Sequence, residues 1–257
     1  MKKYHDVFGE FIGSSLMVFM GCGSVAITVL YYPLSLWQVA LMWSVAVTLA
    51  IYTVKGFSHA HLNPAVTLAM AITQKTKWLN VPMYFFAQLA GAVFASFVLY
   101  ALINKDLQAF EHAQALVRGE VNSYHSAVMF GEFFPNPGYE SSLQVSPLKA
   151  GVAEGIGTFV LVLVIFILSA KEWRFHKWVP VLIGLLVGGI ILCLAPYTQA
   201  GINPARDFGP RLVAYFSGWG EAAFPAVRWS FFTVYIVSPM LGGAAAAFLF
   251  KRIMSMH

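Results

Sequence analysis

The triplet Asn-Pro-Ala occurs twice in the sequence, as Asn63-Pro64-Ala65 and as Asn203-Pro204-Ala205. Asparagine is a good N-cap residue and proline suits the first position of a helix, so each triplet predicts a helix start. A helix N-terminus carries roughly half a unit of positive charge. Two such ends at one level would repel cations, while the two amide groups could donate hydrogen bonds to an oxygen of a neutral molecule. One copy alone is typical of an ordinary helix cap, but two copies at matching positions favour a pore.

The elements that would position these triplets are membrane spans. Of the 257 residues, 59% are apolar and 11% are charged, and the mean hydropathy is +0.70. A soluble domain has roughly 25% charged residues, so the composition indicates a chain that lies mostly in lipid. Apolar stretches of about 20 residues, the length that crosses a bilayer, are predicted at Val7–Leu30, Leu36–Val54, Val81–Ile103, Leu148–Ala170, Val179–Leu194 and Phe231–Phe250. Asn63–Ile72 and Asn203–Phe216 are too short to span and are predicted as re-entrant half-helices.

The sequence also contains an internal repeat. Glu10-Phe-Ile-Gly in the first span is echoed by Glu154-Gly-Ile-Gly in the fourth, and a triplet follows each. Because each half has three spans, the halves must have opposite orientations in the membrane. The sequence therefore predicts an all-α membrane protein with six transmembrane helices and two half-helices in an inverted 3+3 repeat around a central pore. We expect one channel domain over residues 1–257, with repeat one at about 6–103, an outer connector at about 104–147 and repeat two at about 148–252.

The basic residues predict the topology, because Lys and Arg are enriched in cytoplasmic loops. In a six-span arrangement one side of the membrane carries Lys2, Lys3, Lys75, Lys77, Lys171, Arg174, Lys177, Lys251 and Arg252. That side is expected to be the cytoplasm, with both termini inside and the chain in the plasma (inner) membrane. The cations lie at the ends of spans and form no single patch, so the net charge of +5 predicts no binding to nucleic acid.

Irregular backbone is predicted before each triplet. At membrane depth such backbone is tolerated only if it is buried or lines a watery cavity, so its carbonyl groups are expected to line the pore. The residues concerned are His59, Ala60, His61 and Leu62 in the first half and Gln199, Ala200, Gly201 and Ile202 in the second. His59 is either a pH-dependent gate or a packed and hydrogen-bonded side chain.

Two acidic residues, Glu10 and Glu154, lie inside predicted spans, where a carboxylate is costly and usually functional. One interpretation is a proton relay, as in a transporter. In the other, each carboxylate accepts hydrogen bonds from the irregular segment before a triplet and so holds the carbonyl groups of that segment outward.

Over essentially its whole length, the chain resembles the aquaporin superfamily (the major intrinsic proteins). Within it, the chain is more similar to the glycerol facilitator (aquaglyceroporin) branch. The resemblance is carried by both triplets and by Gly9-Glu10-Phe11, Asn203-Pro-Ala-Arg-Asp-Phe-Gly-Pro-Arg211, Phe134-Pro-Asn-Pro137, Gly218-Trp-Gly220 and Pro239-Met240. It implies a homotetramer in which each protomer has its own pore. It also favours a supporting role for Glu10 and Glu154, and Asp207 is expected to be a further support.

The resemblance implies a selectivity filter made of Trp43, Ile191, Ala200 and Arg206. The Trp43 ring would form an apolar wall for a carbon backbone, and Arg206 would donate to hydroxyl groups. Water-selective members have His at the position of Ile191. Glycerol facilitators usually have Gly there and Phe at the position of Ala200, so this filter departs from both and is similar to that of the nodulin-26-like plant branch.

Together these features predict a passive channel for glycerol and similar small uncharged solutes, with some water permeation and with exclusion of protons and ions. The alternatives are a water-selective aquaporin, a proton-coupled secondary transporter with inverted repeats, and a structural junction protein. The sequence contains no nucleophile–base pair or metal-ligand cluster, so no enzyme activity, catalytic residue, metal or cofactor is expected. The expected partners are glycerol, water, the lipid bilayer and other copies of the chain.

Overall fold

The computed structural model describes residues 2–169, 176–225 and 229–255. Lys171 and Arg174, which contribute to the predicted topology, lie outside these ranges. The α-helices of the described ranges are α1 (Lys2–Leu30), α2 (Leu36–Val54), α3 (Pro64–Ile72), α4 (Val81–Ala113), α5 (Tyr124–Ala127), α6 (Pro147–Leu168), α7 (Val179–Thr198), α8 (Pro204–Ala214) and α9 (Ser238–Met254).

Six helical segments in the described part of the chain are long and apolar enough to cross a membrane, as predicted. They contain α1, α2, α4, α6, α7 and α9, and the sixth begins with a wide helical turn at Phe232–Val237. The short helices α3 and α8 have 9 and 11 residues, which is too short to span. The fold is therefore the predicted one, with six spans and two half-helices.

The helix ends differ from the predicted boundaries at several of the spans. The helix α1 begins at Lys2 rather than Val7, and α9 ends at Met254 rather than Phe250. The helix α4 continues to Ala113, past the predicted end at Ile103, because Leu107 and Glu111 pack into buried positions there. The helix α7 continues through Pro196 to Thr198 rather than ending at Leu194. In this extension the carbonyl oxygens of Pro196 and Thr198 accept hydrogen bonds from the Asn136 N–H and the Tyr235 hydroxyl group. A count of apolar residues does not detect such contacts.

The contacts between helices follow the internal repeat. The helix α1 packs on α4 and α2 in the first half, and α6 packs on α9 and α7 in the second. Each half-helix packs on the last span of the other half, α8 on α4 and α3 on α9, and α2 packs on α7 across the boundary. Exchange of the two halves reproduces this set of contacts, as expected for an inverted repeat with a pseudo-two-fold axis.

Two glycines permit close helix approaches at matching helix pairs of the two halves. A Cβ atom added at Gly91 in α4 would lie 2.4 Å from the carbonyl oxygen of Phe11 in α1. A Cβ atom added at Gly242 in α9 would lie 2.2 Å from the carbonyl oxygen of Gly155 in α6. Helices in lipid gain stability from close packing at small residues. Both halves of this protein have such a contact, between α1 and α4 and between α6 and α9.

Candidate functional site

The half-helices α3 and α8 begin at the asparagines of the two triplets. Asn63 and Asn203 have extended backbone, with φ of −158° and −147°, and the proline that follows each is the first residue of a helix. The Asn63 Oδ1 atom accepts a hydrogen bond from the N–H of Ala65 at 2.8 Å, and the Asn203 Oδ1 atom accepts one from the N–H of Ala205 at 3.1 Å. Each asparagine therefore caps its helix through the side-chain oxygen, which leaves the amide nitrogen for other partners.

The two caps are tied to each other across the centre of the protein. The Asn63 Nδ2 atom donates to the carbonyl oxygen of Ile202 at 2.9 Å, and the Asn203 Nδ2 atom donates to the carbonyl oxygen of Leu62 at 2.7 Å. These reciprocal bonds hold the two helix starts at one level. A side-chain amide has two N–H donors, so one N–H of each asparagine remains for a molecule beside the triplets.

The backbone before each triplet has an unusual conformation that repeats in both halves. Left-handed φ angles occur at Ala60 (51°), Leu62 (53°), Gln199 (61°), Ala200 (61°) and Ile202 (42°). Outside glycine, this conformation costs about 1–2 kcal/mol per residue, so it persists only where other contacts stabilise it. Those contacts come from the two membrane-depth glutamates.

Each glutamate binds two successive backbone N–H groups of one segment. The Glu10 carboxylate accepts from the N–H groups of His61 at 2.9 Å and Leu62 at 2.7 Å. The Glu154 carboxylate accepts from the N–H groups of Gly201 at 2.9 Å and Ile202 at 2.5 Å. Both glutamates are 0% exposed. The N–H groups of these segments thus point away from the cavity toward buried carboxylates.

A cavity of about 190 Å³ passes between the two halves. A water molecule has a share of roughly 30 Å³ in the liquid, so the cavity has room for several water molecules. It is lined by both asparagines and by all eight residues of the two irregular segments, His59, Ala60, His61, Leu62, Gln199, Ala200, Gly201 and Ile202. The prolines and alanines of the triplets lie within the half-helices and do not line it.

The four predicted filter residues line this same cavity, although they come from four separate stretches of the sequence. Trp43 lies on α2, Ile191 on α7 and Arg206 on α8, while Ala200 precedes the second triplet. The Arg206 guanidinium carbon is 4.2 Å from the centre of the Trp43 ring, within the range of a cation–π contact. An apolar face and a hydrogen-bond donor therefore adjoin at one level of the cavity.

Asp207 lies outside the cavity lining and is fully buried beside Arg211. The two side chains form a double hydrogen bond, with the Arg211 Nε and Nη2 atoms 3.1 and 2.6 Å from the Asp207 oxygens. The Asp207 Oδ1 atom also accepts from the backbone N–H of Glu132 at 2.9 Å, and Arg211 donates to the Glu132 carbonyl oxygen at 2.7 Å. This pair thus fastens the outer connector to α8.

His59 and Gln199 have specific partners. The His59 Nδ1 atom is 2.9 Å from the Asp6 carboxylate and 3.3 Å from the Tyr84 hydroxyl group, yet 61% of the His59 side chain is exposed. It is both hydrogen-bonded and accessible at the mouth of the cavity. The Gln199 Oε1 atom accepts from the backbone N–H of Phe133 at 2.7 Å, so this side chain braces the outer connector.

Gln88 and Glu132 have polar contacts at the site that were not predicted. Gln88 donates from Nε2 to the Glu10 carboxylate at 2.8 Å and to the Thr67 hydroxyl group at 2.9 Å. Glu132 forms an ion pair with Arg206. Gln88 is a polar residue within the third predicted span, and Glu132 is an isolated acid among aromatic residues; neither feature by itself indicates a role at the site.

Six spans and two half-helices that meet beside a narrow cavity define a membrane channel. The family model described as "Major intrinsic protein" matches residues 1–250. The chain belongs to this family, and it is a passive channel rather than an enzyme.

Several proteins similar to this chain are described as uptake facilitators. The chain is 36% identical to the glycerol uptake facilitator protein of Pseudomonas aeruginosa, over 99% of this chain and 90% of that protein. It is 37% identical to the Haemophilus influenzae protein of the same description (96% and 92% covered), and 34% identical to the propanediol uptake facilitator PduF of Citrobacter freundii (95% and 90% covered). The X-ray structure of the aquaglyceroporin from Plasmodium falciparum superposes with a TM-score of 0.79 at 25% identity, covering 98% of this chain and 97% of that one.

Proposed function

We propose that this channel conducts glycerol and similar small uncharged solutes, with some water, and excludes protons and ions. The observation that carries the proposal is the contact of the Trp43 ring with the Arg206 guanidinium at 4.2 Å in the cavity wall. A polyol has a carbon backbone on one side and hydroxyl groups on the other. The aromatic face of Trp43 can contact the carbon backbone while the Arg206 guanidinium donates hydrogen bonds to the hydroxyl groups. The relatives named as glycerol and propanediol uptake facilitators support the same class of solute.

The exclusion of ions is attributed to the two triplets. The N-termini of α3 and α8 contribute partial positive charge at one level, and the free N–H groups of Asn63 and Asn203 are donors only. A cation meets repulsion there, and a water molecule that accepts both hydrogen bonds is oriented so that it cannot relay a proton through this level. A neutral hydroxyl group can accept the same hydrogen bonds without this penalty.

We propose that Glu10, Glu154 and Asp207 support the pore and do not carry protons through it. A relay for coupled transport needs titratable groups in contact with the permeation path. Glu10 and Glu154 are 0% exposed, and their oxygens are occupied by backbone N–H groups. Asp207 is likewise buried and bonded to Arg211.

A water-selective channel is disfavoured by the filter composition. Such a filter needs polar groups on most sides to exclude solutes that carry carbon atoms. Trp43, Ile191 and Ala200 leave Arg206 as the single charged side chain among the four filter residues. The small Ala200 also leaves space beside this level, which disfavours an occluded junction protein.

We further propose that the protein is a homotetramer in the plasma (inner) membrane, with both termini in the cytoplasm. The topology rests on the basic residues at one side of the spans. The assembly rests on family membership and on the large apolar side chains that the spans expose. In α4, for example, Phe86, Phe94 and Phe97 are 73%, 53% and 61% exposed, and only lipid or another protomer can cover such a surface favourably.

The test is stopped-flow light scattering on proteoliposomes, with protein-free vesicles as the control. After a glycerol gradient is imposed, vesicles with the channel should shrink and then re-swell rapidly, whereas a sucrose gradient should produce shrinkage alone. Re-swelling no faster than in protein-free vesicles would refute the glycerol proposal. Uptake that follows an imposed pH gradient would favour a proton-coupled transporter instead.

A further inference from the structure

Glu132 is an acidic residue of the outer connector that contacts the filter from behind. Its carboxylate forms an ion pair with Arg206, and the two side chains are only 3% and 8% exposed. Glu132 is not part of the cavity lining, whereas Arg206 is. Glu132 therefore has no direct contact with the permeation path, and its contact with the cavity wall is the ion pair with the Arg206 guanidinium.

The position of Glu132 is determined by contacts that do not involve Arg206. Its backbone N–H and carbonyl groups bind the Asp207 and Arg211 side chains at 2.9 and 2.7 Å. The preceding residue, Gly131, lies so close that an added Cβ atom would be 2.8 Å from the Arg211 guanidinium carbon. The backbone N–H of the next residue, Phe133, donates to Gln199. The segment is thus fastened on both sides of Glu132, and the carboxylate is presented at a defined place.

The Arg206 guanidinium is consequently held between two groups, the Trp43 ring and the Glu132 carboxylate. Removal of one partner from a buried ion pair leaves an uncompensated charge, which is strongly unfavourable. The guanidinium would then move toward water, and the cavity is the nearest source of water. Ala200 lines the same cavity and ends at a methyl group, so its side chain occupies little of that space. A guanidinium that leans into this space would narrow the filter.

We propose that Glu132 is a positioning residue that determines the solute selectivity of this filter by holding the Arg206 guanidinium against the wall. The inference rests on the proposed function, because it concerns passage of the same neutral solutes. The ion pair with Glu132 would keep the Arg206 guanidinium out of the solute path, although Ala200 is too small to do so. A polyol needs the full width of the cavity, whereas water does not, so the ratio of glycerol to water permeability is the quantity that Glu132 should control.

The test is a double-mutant cycle on that ratio, measured by stopped-flow light scattering on proteoliposomes. The variants are Glu132→Gln, Arg206→Ala and the double substitution, with Glu140→Gln as the matched control. Glu140 is an acid of the same connector, but its carboxylate is exposed and accepts from Tyr124. Glutamine retains the shape of Glu132 and leaves the backbone contacts of the segment in place, so Glu132→Gln is expected to fold, and Glu132→Ala serves as a second variant.

With Arg206 present, Glu132→Gln should lower the glycerol-to-water ratio by on the order of fivefold, a coupling of about 1 kcal/mol. Glu132→Ala should lower it at least as much, and Glu140→Gln should leave it unchanged. In the Arg206→Ala background, the change at Glu132 should have little further effect, because there is no guanidinium to position. A structural role of the connector alone would not produce this dependence on Arg206.

Two outcomes would overturn the inference. One is an unchanged ratio in both Glu132 variants when Arg206 is present. The other is an equal fall of the ratio with and without Arg206, which would show that the connector itself shapes the path. Failure of the proposed function is distinguishable from both, because wild-type vesicles would then show no glycerol permeation to compare.

Discussion

Replacement of Glu154 tests whether a buried carboxylate holds the irregular backbone before the second triplet. The carboxylate accepts from the N–H groups of Gly201 at 2.9 Å and Ile202 at 2.5 Å, and all three residues are buried. An unsatisfied buried N–H costs about 1–3 kcal/mol. Glu154→Ala leaves two such donors and should therefore cost about 2–6 kcal/mol.

Glu154→Gln provides a graded comparison. The glutamine oxygen can accept from one of the two N–H groups, while its NH₂ group faces the other donor. The expected loss of stability is then about 1–3 kcal/mol, between wild type and alanine. Because Ala200 and Ile202 have left-handed φ angles that these bonds stabilise, the segment should relax in both variants and glycerol permeability should fall.

The assay combines thermal unfolding in detergent with proteoliposome permeability. The matched control is Glu221→Gln, at an exposed acid, where a change within about 0.5 kcal/mol is expected. Wild-type stability and permeability in Glu154→Ala would refute the supporting role. A Glu154→Gln variant of unchanged stability that lost a pH-dependent flux would instead indicate a proton relay.

Further predictions concern packing and the filter. Gly242→Ala should lower the free energy of unfolding by about 1–3 kcal/mol, because the added Cβ atom would be 2.2 Å from the Gly155 carbonyl oxygen. The loss would be measured as a lower unfolding temperature. Gly189→Ala is the matched control, because an added Cβ atom there meets nothing within 4 Å, and a rise in stability of about 0.5–1 kcal/mol is expected. Equal effects of the two substitutions would contradict the close-packing argument. Ala200→Phe should reduce glycerol permeability more than water permeability in stopped-flow measurements, because the ring fills the space beside Arg206; unchanged selectivity would mean that Ala200 is not part of the filter wall. Asn203→Ala should lower the permeability to both solutes and weaken helix α8 by about 1 kcal/mol, the usual cost of a lost N-cap, and a stability equal to wild type would argue against the cap.

Much of the architecture could be predicted from local features of the sequence. Runs of apolar residues determine which segments cross the membrane, because hydrocarbon requires a helix of about 20 residues with all backbone groups bonded internally. The prolines of both triplets indicate the half-helix starts, and the echo of Glu10 in Glu154 indicates the inverted repeat. These features are either local in the sequence or repeated in its two halves, so the sequence alone is enough to recognise them.

The helix ends were less predictable. The helix α4 extends to Ala113 because Leu107 and Glu111 pack against other parts of the protein. These are tertiary contacts, and the length of an apolar run does not predict them.

Which residues contact the filter side chains from outside the cavity was decided by the tertiary structure alone. The sequence by itself determined that Arg206 follows the second triplet and that Trp43 lies in the second span. It did not determine that Glu132, in a connector without a regular pattern, would reach Arg206. That contact depends on the Asp207–Arg211 pair and on Gln199, which fasten the connector to the start of α8. The conformation of a surface segment depends on contacts with residues that are distant in sequence. For this reason only the tertiary structure shows that the Glu132 carboxylate pairs with Arg206.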